Sequence, residues 1–408
     1  MKRFMSFFIA IMIILNLSGC NGKGKKSAPD SGEFHWEYTS PESQGFSSQK
    51  LNAAVKVLSQ KNTKKLIVVR NDKIVCEWFA EGFGDSIRGH STASLAKAIV
   101  AGVSLLGAMD EGTINPDDFA SQYIPSWADD KLKSKITIRH LATHTSGMED
   151  SEVSLREQRQ MAEQGLNKHM DLKGWKGHFW RKDLNPFVMA RDSAPILAFP
   201  GTRYGYSNPG IGMLTYTVTS SLRNSQYKDI HTLLREKIYG PIGIDEDEYT
   251  IGYGKSYEEE GLKLYPSWGG GTFTARATAR IGRLLLNKGM WQGKQIIKPS
   301  LVAEVISYKG TPLPASRRFE NDTVNQRNRT FSPSPATTLG WYCNFDKVWK
   351  NIPPDAFCGA GNGNQHLFVV PSLNLIIVRY GGSLASNGES SWYAAEKYLF
   401  SPIVEAIK

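Results

Sequence analysis

Ser94 and Lys97 stand three residues apart in the stretch His90-Ser-Thr-Ala-Ser-Leu-Ala-Lys-Ala-Ile-Val-Ala-Gly-Val-Ser-Leu-Leu106. On a helix that spacing puts both side chains on one face, close enough to exchange a proton. A serine hydroxyl is a poor nucleophile at neutral pH and needs a neighbour to take its proton. A lysine serves only when neutral, a state that burial favours by penalising the ammonium. Leu95, Ala96, Ala98, Ile99, Val100, Ala101, Val103, Leu105 and Leu106 leave no polar stripe, which predicts a helix buried all round. The same spacing recurs at Ser47/Lys50 and Ser225/Lys228, but in the polar contexts Ser-Ser-Gln-Lys and Ser-Gln-Tyr-Lys, where the lysine stays solvated. Taken alone, the Ser94 stretch fits a serine cap and a snorkelling lysine on an ordinary core helix equally well.

Two further stretches carry chemistry. In Phe199-Pro-Gly-Thr-Arg-Tyr-Gly-Tyr-Ser-Asn-Pro-Gly-Ile-Gly-Met-Leu214, Pro200-Gly201 marks a turn and Asn208-Pro209 a helix start, with asparagine as cap and proline at the first helical position. Tyr206 just before it relays protons if a neighbouring positive charge lowers its pKa. Tyr342-Cys-Asn344 repeats the pattern inside a strand-like run. The third stretch, Phe357-Cys-Gly-Ala-Gly-Asn-Gly-Asn-Gln-His-Leu-Phe-Val-Val-Pro371, followed by Leu375–Tyr380, predicts an antiparallel hairpin with a glycine-rich first strand. Such glycines admit close approach of a backbone or a substrate, and a free N–H there can hold an oxyanion. A bulged strand with no ligand fits equally.

His140 and His144 lie four apart in Thr137–Gly147, where Thr137 reads as a helix cap and Gly147 as its stop. That spacing suits two metal ligands, but no glutamate separates them and no third ligand follows, so hydrogen bonding that shapes a loop is favoured. Trp268-Gly-Gly-Gly lacks the lysine and spacing of a phosphate-binding loop.

The supporting elements follow from periodicity. Leu51–Leu58 reads as a helix, and Lys65–Arg70 with Lys73–Phe79 as a hairpin turning at Asn71-Asp72. Residues 149 to 196 read as a helical cover or lid whose aromatics Trp175, Phe179, Trp180 and Phe187 either line a substrate cleft or, the favoured role, pack against the body. Helices are predicted over Ile230–Pro241 and Ala275–Asn287, and a surface loop over 310–337. A chain of 408 residues, 40% hydrophobic, can bury a large core.

The net charge of +10 contains no long basic run in the body: Lys2, Arg3, Lys23, Lys25 and Lys26, set against Asp30, supply about four of those charges. Nucleic-acid binding is therefore disfavoured. Met1-Lys-Arg3 and the apolar run Phe7–Leu17 read as a secretory signal, and Leu17-Ser-Gly-Cys20 resembles the bacterial lipobox, in which the cysteine is lipid-modified. Residues 1–20 are then a lipoprotein signal peptide and 21–35 a polar tether, which anchors the body in a bacterial cell envelope, on the extracytoplasmic side. The remaining cysteines show no zinc spacing; Cys343 and Cys358 are the candidate disulfide pair, and Cys76 reads as core.

Together, Ser94-Leu-Ala-Lys97, Tyr206-Ser-Asn208 and the glycine-rich strand near Gly361 resemble the serine β-lactamase and penicillin-binding protein superfamily, and within it the class C-related hydrolases such as esterases and 6-aminohexanoate-dimer hydrolases. Ile136–Gly147, Pro200-Gly-Thr202 and Trp291-Gln-Gly-Lys294 look like further landmarks. The resemblance spans roughly Trp36 to the C-terminus. It implies an α/β fold, an antiparallel sheet flanked by helices, with the α/β part drawn from 36–93 and about 265–408 and a helical domain, about 94–264, inserted between. It further implies Ser94 as acylated nucleophile, Lys97 and Tyr206 sharing the base role, Asn208 orienting the substrate or Lys97, and an oxyanion site formed beside Gly361 by the N–H groups of Ser94 and Asn362. No cofactor or metal is implied.

The chain departs from β-lactamases at the third motif: Gly359-Ala-Gly361 stands where Lys-Thr-Gly is typical, so no side-chain cation grips a β-lactam carboxylate. This shifts the expectation toward an esterase or amidase acting on a small-molecule or peptide substrate. The competing expectations are a non-catalytic or slowly acylated cell-wall peptide sensor of the same fold, and a metallohydrolase using His140 and His144.

Overall fold

The computed structural model describes residues 34–84, 89–153, 155–166, 168–181, 184–314 and 333–408. The expected signal peptide, Cys20 and most of the expected tether lie outside the described residues, as does part of the expected 310–337 loop.

Alternation of side chains builds two cores on one sheet. Leu66 and Val68 face one core while Ile67 and Val69 face the other, and Phe368/Val370 against Leu367/Val369 repeat the division. Strands buried on both faces read as continuous apolar runs, which is how these segments read.

The sheet comprises β1 (Glu37–Tyr38), β2 (Thr63–Arg70), β3 (Lys73–Phe79), β4 (Ala336–Thr337), β5 (Tyr342–Cys343), β6 (Phe357–Gly361), β7 (Gln365–Val370) and β8 (Leu375–Gly381). Its order is β1-β3-β2-β8-β7-β6-β5-β4, antiparallel throughout except for the parallel edge pair β1/β3. The β2–β3 turn at Asn71 and Asp72 has positive φ at both residues (49° and 63°), the conformation that matches the twist of a two-residue hairpin.

Helix α1 (Ser48–Gln60) and the C-terminal helical segment from Ser391 cover one face through Leu51, Leu58, Leu399 and Ile403. The other face is covered by the chain that follows Ser94. That chain is not one regular helix: a tight turn over Ala93–Leu95 leads into wide, π-type turns over Lys97–Gly102 and then α2 (Val103–Asp110). Burial all round holds, since every residue from Leu95 to Met109 is buried. Single wide turns of this kind often mark functional positions.

Three expectations are corrected. The helix capped by Thr137, α3 (Ile138–Ala142), stops five residues before Gly147. The Thr143 hydroxyl donates to the Arg139 carbonyl (2.7 Å), Thr143 and Thr145 bond to each other (2.9 Å), and His144 adopts φ 59°, so local hydroxyl bonding replaces the next helical turn. Helix α4 (Asn208–Ser221) is capped by Ser207, whose Oγ accepts from the Gly210 N–H at 3.0 Å, leaving the Asn208 amide free for other work. Cys343 and Cys358 are not bridged: Cys343 pairs with Phe357 and Cys358 with Tyr342, so adjacent strands point the two thiols to opposite faces. Cys76 is buried in the core that α1 covers.

Candidate functional site

Ser94 is presented by a crowded backbone. The short strand His90–Ser91 pairs with Thr272–Phe273, and the Thr92 hydroxyl donates to the Gly270 carbonyl at 2.6 Å. Ala93 then turns the chain at φ 46°, a left-handed conformation that costs a non-glycine residue about 1 kcal/mol and recurs at functional sites. From the other side β6 presses close. A Cβ on Gly361 would lie 2.4 Å from the Thr92 carbonyl oxygen and 3.1 Å from the Ser94 nitrogen, and one on Gly359 would lie 2.6 Å from a Leu95 methyl. The glycines let the strand reach the start of the Ser94 segment.

Lys97 is 4% exposed and its ammonium nitrogen has three acceptors: Ser94 Oγ at 3.0 Å, Asn208 Oδ1 at 2.7 Å and the Trp268 carbonyl. Burial pushes its pKa down to about 7, against the opposing pull of Asp150 and Glu152. Ser94 Oγ also lies 2.8 Å from the Tyr206 hydroxyl, and Lys97 Nζ sits 4.8 Å from the Tyr206 ring centre. The condition of a lowered Tyr206 pKa is not met. Burial, reinforced by Tyr342, raises it well above the ordinary phenol value and outweighs the bond from Ser94. Tyr206 is therefore a protonated phenol at neutral pH.

The Asn208 amide is oriented on its far side by Asp150, which accepts from the Asn208 backbone N–H at 2.8 Å and from Nδ2 at 3.0 Å. His144 packs its ring against Tyr206 with centroids 4.7 Å apart and accepts the Ser207 N–H on Nδ1 at 3.2 Å. Burial holds its pKa down near 3, so it stays neutral. His140 instead closes a capping box with Thr137, its Nδ1 accepting the Thr137 N–H. The two histidines thus serve separate backbone contacts.

Gly361 abuts the Ser94 turn, while Asn362 lies just beyond it, exposed, in the turn between β6 and β7. That turn is anchored by Gln365, which bonds the Asn362 carbonyl at 3.0 Å, and by the buried Arg379, whose Nη1 donates to the Gly363 (2.6 Å) and Asn364 (3.0 Å) carbonyls. Burial lowers the Arg379 pKa to about 9.

The structure therefore brings Ser94, Lys97, Tyr206 and Asn208 into one hydrogen-bonded cluster. It adds groups that the sequence reading passed over: Asp150, the Trp268 carbonyl and the packed ring of His144. Phe179 and Phe187 lie against Trp268, at 4.9 and 5.3 Å between centroids, so the cover's aromatics back the site from within the core. A backbone carbonyl has no sequence signature; Asp150 carried the weak signal of an acid just beyond the Thr-Ser-Gly turn.

An antiparallel sheet flanked by helices, with a serine, a lysine and a tyrosine converging beside its glycine-rich inner strand β6, defines a structural class. The model of the Beta-lactamase family matches residues 90–390, and the chain belongs to that family. It is 21% identical over 328 residues to a 6-aminohexanoate-dimer hydrolase of Paenarthrobacter ureafaciens, covering 79% of this chain and 73% of that one. Its fold is similar to a family VIII carboxylesterase (TM-score 0.59, 17% identity, 88% and 96% of the two chains). It is also similar to the simvastatin synthase of Aspergillus terreus (TM-score 0.60, 14% identity, 88% and 97%).

Proposed function

We propose that the protein is a serine hydrolase that cleaves an ester or amide through an acyl-enzyme on Ser94. The observation that carries this reading is the set of acceptors around Lys97. A neutral amine has two N–H groups and one lone pair. The Asn208 carbonyl oxygen and the Trp268 carbonyl accept only, so they claim both N–H groups and the lone pair is left facing Ser94 Oγ.

In the first step the Ser94 proton passes to Lys97 while Oγ bonds to the substrate carbonyl carbon, and the carbonyl π electrons move to oxygen. The N–H groups of Ser94 and Asn362 stabilise that oxyanion. Collapse re-forms the carbonyl and expels the alcohol or amine, which takes a proton from the Tyr206 phenol; the Lys97 ammonium restores it. Water then attacks the acyl carbon, gives its proton to the same pair, and releases the acid with Ser94 protonated again. The family's hydrolases and the missing cation at Gly359 support an ester or amide substrate rather than a dedicated β-lactam. As part of this proposal, Cys20 carries a lipid anchor at the cell envelope; Cys20→Ser then moves the protein from the membrane to the soluble fraction.

Turnover of short-chain nitrophenyl esters and amides by the wild type, and its loss in Ser94→Ala, is the expected result. Stoichiometric binding with no product from any ester or amide contradicts turnover and favours a sensor of the same fold.

A further inference from the structure

Asp150 lies outside every motif that drew attention to the site, yet one of its oxygens, Oδ1, accepts two N–H groups of a single residue: the Asn208 backbone N–H at 2.8 Å and Asn208 Nδ2 at 3.0 Å. The first bond serves the start of α4, where a carboxylate is favoured by the unpaired N–H groups and the helix dipole. The second contributes nothing to the helix, which Ser207 already caps. Its consequence falls on the other end of the amide.

An ionised carboxylate accepts hydrogen bonds and cannot donate. With Nδ2 held by Asp150, and Glu152 Oε1 a second acceptor at 3.4 Å, Asn208 Oδ1 must face Lys97, to which it is bonded at 2.7 Å. A flipped amide would set Nδ2 donors against the Lys97 N–H groups and Oδ1 against the carboxylate, two repulsive contacts at once. We propose that Asp150 is a positioning residue: by locking the Asn208 amide it fixes an N–H of Lys97 and keeps the remaining lone pair aimed at Ser94.

This rests on the reading of Ser94 as nucleophile and Lys97 as its base. Asp150 also acts on Lys97 through space, together with Glu152, both raising its pKa against burial. The other titratable groups around the cluster are Tyr204, Tyr206, Tyr253 and Tyr342, all pushed upward chiefly by burial, and His144, pushed down to about 3. These five are held in their uncharged forms, and the groups that act on Lys97 against burial are Asp150 and Glu152. Asp150's own carboxyl is raised by burial and pulled back by the Asn208 N–H.

The test compares Asp150→Ala with Asp150→Asn by kcat, KM and the pH profile of kcat/KM on whichever nitrophenyl ester the wild type turns over. The alanine variant loses the acceptor, and kcat is expected to fall about ten- to a hundredfold with KM little changed, the cost of a misplaced base. The asparagine variant keeps an oxygen acceptor but not the charge. It is expected to recover kcat to within a few-fold, while the acidic limb of its profile moves down by about half a unit to one unit.

A kcat for Asp150→Ala within threefold of wild type overturns the proposal, as do equal losses in the two variants with an unshifted limb, since a purely structural acid would act that way. If Asp150→Ala does not fold, Asp150→Asn decides alone: a shifted limb supports the proposal and an unshifted one overturns it. Failure of the underlying reading looks different, because Ser94→Ala then keeps its activity.

Discussion

Ser94/Lys97 and Ser47/Lys50 share a spacing and almost nothing else. At Ser47 the hydroxyl caps α1 by accepting the Lys50 backbone N–H at 3.3 Å, and the Lys50 ammonium reaches out to the Glu405 carbonyl at 3.2 Å. At Ser94 the backbone role is gone and the lysine side chain itself turns back to the hydroxyl at 3.0 Å. The difference lies in the surroundings. Lys97 has a buried wall behind it and two carbonyl acceptors, Asn208 Oδ1 and Trp268, that fix its nitrogen, whereas Lys50 lies in water. Spacing brings two groups within reach; burial and fixed acceptors decide whether they react.

The contrast can be broken in graded steps. Ser94→Ala should lower ester turnover by on the order of a thousandfold or more, as removal of a nucleophile does, with little change in melting temperature. Lys97→Met should lower kcat by a similar order, about a thousandfold. It should also lower the melting temperature, because methionine leaves the buried Asn208 Oδ1 and the Trp268 carbonyl without their donor; an unchanged or raised melting temperature would speak against those two bonds.

In the wild type, kcat/KM should rise with pH through about 7, where Lys97 loses its proton and becomes a base. The sign is fixed by the role: the protonated lysine cannot accept the serine proton. A profile flat from pH 5 to 9 would remove Lys97 from the base role.

Gly361→Ala places a methyl 2.4 Å from the Thr92 carbonyl, so the Ser94 turn must move; activity should fall about tenfold or more and stability by about 1–3 kcal/mol. Smallest of all, Ser47→Ala should leave turnover unchanged and cost about 1 kcal/mol of stability, the worth of a helix cap, read from a denaturant midpoint.

Much of the architecture was visible in the amino-acid order because it depends on local pattern. The hairpin at Asn71-Asp72, the apolar strands near Leu66, Leu367 and Ile376, and the buried segment after Ser94 each announce themselves within a dozen residues. The cluster of Ser94, Lys97, Tyr206 and Asn208 was legible as a set of motifs, though no single motif sufficed. What escaped was set by contacts more distant in the chain. The Trp268 carbonyl meets Lys97 across 171 residues and Asp150 meets Asn208 across 58. Asn208 does not cap α4 because Ser207, one residue earlier, offers the better-placed hydroxyl, and Cys343 and Cys358 do not pair because strand alternation turns their thiols to opposite faces. A lowered Tyr206 pKa would need a nearby charge to outweigh burial, and burial is the larger effect.

The most direct measurement is to treat the protein with a fluorophosphonate, digest it, and identify the modified serine by peptide mass spectrometry, beside Lys97→Met. The account predicts a single adduct on the peptide carrying Ser94, none on that carrying Ser47, and labelling slowed by orders of magnitude in the lysine variant. An adduct on another serine, or labelling of Ser94 at an unchanged rate without Lys97, would contradict it.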